Sequence, residues 1–81
     1  MRHLSDLVVN SNGFVFEPSL GEGFMLNDSG LLLLEMFRSG ANIKDASERL
    51  SQVFGVSLGQ AYTDAFDFLG KLKILGFEVS A

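Results

Sequence analysis

Few side chains in this chain could do chemistry. His3 is the only histidine. A Ser-His-Asp arrangement needs a nucleophile held against a base that a third group orients. A single histidine beside a chain end expected to fray reads instead as a surface residue. No cysteine is present, which removes disulfides, thiolate metal sites and a cysteine nucleophile. The carboxylates are scattered over helix starts and polar faces, so no acid–base pair stands out. Gly21-Glu22-Gly23 is no phosphate loop, because no Lys followed by Ser or Thr comes after it. The expectation is a protein that is not an enzyme, with no catalytic residue, no metal ligands and no cofactor.

Ser29 raises one sharper alternative. Acyl carrier proteins are small and acidic, with a serine opening a helix in an Asp-Ser-Leu motif, and Asp28-Ser29 precedes a leucine-rich run here. Gly30 stands where the leucine should, and the serine follows strands rather than a helix. Capping of a helix by small polar residues accounts for the same stretch.

Composition narrows the rest. The chain has 81 residues, 47% of them hydrophobic, with eight Phe; this supports a packed core in one domain, 1–81, rather than disorder. The longest purely apolar run, Leu31 to Leu34, is far short of a membrane span. The N-terminus lacks the apolar stretch of a signal peptide, so a cytoplasmic location without membrane association is expected. The net charge is −4, and the six Lys and Arg are dispersed, whereas phosphate backbones are held by clustered cations.

The elements follow from pattern. Asp6 to Val9 reads as a short strand, ended by the turn signal Asn10-Ser11-Asn12-Gly13. Phe14 to Glu17 reads as a second strand, Pro18 to Gly21 as its turn, and Gly23 to Leu26 as a third; the strands span about 7–9, 13–17 and 23–26. The second would be central and the other two would form edges. Helical spacing then takes over across about 28–39, 43–54 and 57–75. The caps are Asn27 or Asp28, Asn42, and Ser57 with Gln60 as a capping box. Gly40, Gly55 and Gly76 stop the helices, and Phe77-Glu78-Val79 reads as a last short strand. Leu34, Phe37, Leu50, Leu69 and Leu72 are the expected core. The fold class is α+β, winged helix-turn-helix-like: a three-stranded N-terminal β-meander followed by three helices.

Two features fall outside that core. An edge strand at Gly23, Phe24, Met25 and Leu26 would present unpaired N–H and C=O groups; whether Phe24 or Met25 directs its N–H outward depends on register. The third helix has more apolar surface than a core stripe needs: Tyr62, Phe66 and Ile74 fall to its side. Gly70, costing about 1 kcal/mol against Ala in a helix, lies near Phe66 and Ile74 on the wheel.

The run Phe24-Met25-Leu26-Asn27-x-x-Gly30, then Leu33-Leu34, Phe37 and Gly40, resembles the first half of the PqqD-like family. Ala46, Leu50, Asp64, Phe68-Leu69, Leu72 and Gly76-Phe77 resemble the second, so the likeness spans about residues 7 to 79, nearly the whole chain. It implies a non-catalytic RiPP recognition element, a chaperone that binds the leader of a ribosomally made precursor peptide. Such domains present the rest of the precursor to a radical SAM or other peptide-modifying enzyme. By position, the leader would add as a strand along Gly23 to Leu26 and lie beside Tyr62, Phe66, Gly70 and Lys73. A second copy could cover the same edge as a homodimer, and a winged-helix nucleic-acid-binding or regulatory role is the alternative the fold permits. One departure is Phe16 to Glu22, where the namesake branch has a longer segment containing Leu, Tyr and Pro. The likeness therefore implies the wider group rather than a part in making pyrroloquinoline quinone.

Overall fold

A computed structural model describes residues 2–19 and 21–79. Leu20 of the expected Pro18–Gly21 turn, and Met1, Ser80 and Ala81 of the expected domain, lie outside the described residues. The order is β1 Arg2–His3, a 3-10 turn Leu4–Asp6, β2 Val8–Val9, β3 Phe14–Glu17, β4 Glu22–Met25, α1 Asp28–Arg38, α2 Ile43–Phe54, α3 Leu58–Ile74 and β5 Phe77–Glu78. β2, β3 and β4 form an antiparallel sheet with β3 central, so the α+β meander and three helices stand as expected.

Local chemistry accounts for the boundaries. The side chain of Asn27 accepts from the N–H of Gly30, Asn42 from Asp45 and Ser57 from Gln60, each satisfying an N–H that a helix start leaves without an intrahelical partner. Gln60 completes only half of the expected capping box. Its amide donates up the helix to Asp64 Oδ1 at 2.8 Å, rather than reaching back towards Ser57. At the end of α1, the N–H of Gly40 donates to Phe37 and that of Ala41 to Met36. This closure needs a left-handed residue at Gly40 (φ 87°) and sets the tight turn into α2. Between β3 and β4, the buried Glu17 carboxylate accepts the Ser19 hydroxyl at 2.6 and 2.8 Å, and Gly21 N–H donates to the Glu17 carbonyl.

The core gathers Val15 from β3, Leu33, Leu34 and Phe37 from α1, Ala46 and Leu50 from α2, and Ala61, Ala65, Leu69 and Leu72 from α3. All five expected core leucines and phenylalanine are buried. The outer ends of two apolar stripes are not: Val53 and Phe54 on α2, and Leu75 past α3, stay exposed.

The N-terminus departs most from expectation. Leu4 and Leu7 are core residues, and only Val8–Val9 of the expected first strand pairs with β3. The segment is paired: β1 lies parallel to β5, with Arg2 beside Phe77 and His3 beside Glu78. Arg2 holds this closure in place. Its guanidinium donates to the Leu75 carbonyl at 2.8 Å, sits 4.4 Å from the centre of the Phe77 ring and reaches Glu22 at 3.6 Å. His3 lies 3.5 Å from Glu78 and contributes to the same edge.

Candidate functional site

The register of β4 decides which of its backbone groups are free. Phe14 stands opposite Met25, Val15 opposite Phe24, Phe16 opposite Gly23 and Glu17 opposite Glu22. One position further, Leu26 N–H donates to the Gly13 carbonyl at 2.8 Å, while Gly13 N–H turns back to the Asn10 carbonyl; Gly13 and Leu26 therefore stand at a hydrogen-bonded position with one of its two bonds made. Antiparallel pairs alternate between bonded and non-bonded. The Phe14–Met25 pair is therefore non-bonded, Val15–Phe24 bonded and Phe16–Gly23 non-bonded. Phe24 spends its N–H and C=O on the sheet and Leu26 its N–H, whereas Gly23 and Met25 direct theirs outward, where β4 has no further strand among the described residues.

The side chains leave that edge approachable. Gly23 has no Cβ, and one placed there would run into the Phe14 ring, so the ring lies across a bare stretch of backbone. Met25 is 63% exposed. Gly13 anchors the far end: its φ is 95°, and a Cβ on it would collide with the Leu26 carbonyl. Only glycine lets β4 close onto the sheet there.

Beside the edge lies a cleft of about 350 Å³. Met25 and Leu26 line it from β4, Asn27, Ser29, Gly30 and Leu33 from the start of α1, and Asp64, Asp67, Phe68 and Lys71 from α3. The start of β4 is tied through Glu22 and Arg2 to Leu75 beyond the end of α3, while the end of β4 faces the middle of α3. Strand and helix therefore run in opposite directions along the cleft. Leu26, Leu33 and Phe68 are its apolar lining, and Asp64, Asp67 and Lys71 its charged lining, all three of the latter on α3. The Gln60 amide holds Asp64, and among the described residues none of Asp64, Asp67 and Lys71 is in an ion pair.

Of the residues expected to bind, Met25 and Leu26 line the cleft, and Gly23 and Phe24 precede them on the same strand. The structure does not bring Tyr62, Phe66, Gly70 and Lys73 to it. At 100° per residue these lie about 160–240° around α3 from Asp64, whereas Asp67, Phe68 and Lys71 lie within about 60° of it. Tyr62 and Phe66 stack on each other instead, ring centres 6.5 Å apart, both more than half exposed. Gly70 faces open space. The spacing that marks the cleft wall, Asp64, Asp67, Phe68 and Lys71 at i, i+3, i+4 and i+7, is helical, but it mixes charge with one aromatic.

The polar side chains lining the cleft are Asn27, Ser29, Asp64, Asp67 and Lys71. Among the described residues no cluster of three or more His, Cys, Asp or Glu could hold a metal ion. The Ser29 hydroxyl donates to the capping oxygen of Asn27 at 3.0 Å. No described helix is long and apolar enough to cross a membrane. What remains is a winged helix-turn-helix-like domain with an open strand edge above a cleft.

Comparison with known proteins gives the family. Residues 10–77 match the family described as Coenzyme PQQ synthesis protein D (PqqD), and the chain belongs to it. No curated protein matches the chain. A solved structure, lasso peptide synthetase B1 complexed with the leader peptide, superposes with a TM-score of 0.73 at 22% identity, over 86% of this chain and 84% of that chain. At that identity the likeness is one of fold.

Proposed function

We propose that this chain is a RiPP recognition element: a non-catalytic peptide chaperone that takes the leader of a ribosomally made precursor as an added strand on β4. It then presents the remainder to a peptide-modifying enzyme. The observation that carries the reading is the pair of outward-facing backbone positions, Gly23 and Met25, directly beside the cleft. An antiparallel leader strand bonds to both. Each such bond contributes about 1 kcal/mol net, so backbone pairing alone binds weakly, and inward-facing leader side chains in the cleft supply selectivity. Family membership and the leader-bound state of the structural neighbour support the same reading.

The cations favour this over nucleic-acid binding: Arg2 and Arg38 are engaged with Glu22 and Glu35, and Lys71 stands among acidic side chains. The test is a titration of isotope-labelled protein with synthetic leaders from short reading frames flanking its gene, followed by amide shifts. Shifts are expected across 22–26 and at Asp64, Asp67, Phe68 and Lys71. Shifts confined to α2, or none at about millimolar peptide, the weak limit of specific binding, would overturn the reading. Edge-to-edge pairing of two copies would show as concentration-dependent shifts at Gly23 and Met25 without any peptide.

A further inference from the structure

We infer that the leader this edge selects carries a Lys or Arg facing Asp64 and Asp67, followed two residues later by an apolar residue over Phe68. The inference rests on the docking reading above and adds the chemistry of the peptide.

Geometry sets the positions. Directly opposite residues of an antiparallel pair share a face of the sheet. Val15, opposite Phe24, is fully buried beneath the helices, so leader residues opposite Phe24 and Leu26 point inward towards α3. Those opposite Gly23 and Met25 point away. Leu26 lies at the end of β4 that shares the cleft with Asp64, Asp67 and Phe68. Because the added strand runs antiparallel to β4, the residue opposite Leu26 comes first in the leader and the one opposite Phe24 comes two later.

Charge sets the identities. Asp64 and Asp67 are one turn apart on the cleft wall and neither is in an ion pair among the described residues. Asp64 is half-buried, and the Gln60 amide orients its carboxylate. A cation opposite Leu26 pairs with both carboxylates, while an acidic residue there meets like charge, the repulsive element that specificity requires. Lys71, a turn further along α3, lies towards the Phe24 end of the strand. It disfavours a second cation there, leaving the apolar floor of Leu33 and Phe68 to be covered. The order, basic then apolar, therefore also fixes the direction in which the leader threads.

The test pans a displayed library of short random peptides against the full chain. Enriched binders should place Lys or Arg two residues before an apolar residue. A selected peptide should lose roughly tenfold in affinity to the Asp64→Asn/Asp67→Asn variant, and its affinity for the unaltered chain should weaken with added salt. Circular dichroism checks that the variant folds, as expected for two substitutions on the helix surface. Binders that need the Met25 N–H, judged by loss on Met25→Pro, but lack the basic residue or bind the double variant unchanged would overturn the charge rule and leave strand addition standing. No binders, or binders indifferent to Met25→Pro, would overturn the docking reading with it.

Discussion

The two flanks of α3 differ in a way that separates a surface from a site. On one flank Tyr62 and Phe66 stack on each other, both more than half exposed, on the side of α3 that also carries Lys73. On the other, Phe68 lies half-buried between two aspartates and a lysine, opposite a strand edge with free backbone groups. Apolar exposure is greater on the first flank, but polar groups that can fix a ligand's orientation are found on the second. Peptide recognition needs both apolar surface and placed polar groups, and the cleft flank brings them together beside the β4 edge.

The largest expected effect tests the core both flanks share. Leu69 is buried in the middle of α3, and Leu69→Ala should cost about 2–5 kcal/mol in denaturant unfolding; a change under about 0.5 kcal/mol would mean that α3 is seated on another face. Next comes Met25→Pro. The outward N–H of Met25 is not used by the sheet, so proline on this edge strand should leave unfolding within about 1 kcal/mol of the parent while cutting leader affinity more than about tenfold. Phe24→Pro removes a bond made to Val15 and should destabilise the fold itself. Equal damage from both would show the register to be shifted by one.

A smaller effect separates the flanks. Phe66→Glu puts a charge on the open flank only, and leader affinity measured by titration should change less than about twofold. A clear loss would place the leader on the Tyr62 side instead of in the cleft. Smallest is Gly70→Ala. A Cβ there meets nothing within 4 Å, so the variant should gain about 0.5–1 kcal/mol in stability and bind as before. Weaker binding would mean that a leader side chain uses that space.

Much of the fold was legible because its signals are local. Asn27, Asn42 and Ser57 cap the helices they precede, and Leu34, Phe37, Leu50, Leu69 and Leu72 fall on core-facing stripes. The N-terminal closure was not legible. A two-residue parallel pairing between Arg2–His3 and Phe77–Glu78 has no periodicity, and it is made through partners at opposite ends of the chain. The candidate site was half legible. Its strand, Gly23 to Leu26, follows from turn signals, but the outward direction of Met25 depends on register across the turn. The α3 side of the cleft was not legible, because Asp64, Asp67 and Lys71 read in sequence as an ordinary solvated face; their part in the site is the one proposed above.

If β4 presents an open edge with alternating backbone groups, residue-resolved amide hydrogen exchange across 22–26 reads it directly. In the free protein Phe24 and Leu26 should be protected and Gly23 and Met25 should exchange quickly; saturating leader should protect Gly23 and Met25 as well. Protection of Gly23 and Met25 without any peptide, at protein concentrations where the chain is monomeric, would show that the edge is already covered. Rapid exchange at both residues with leader bound would show that the leader does not add as a strand.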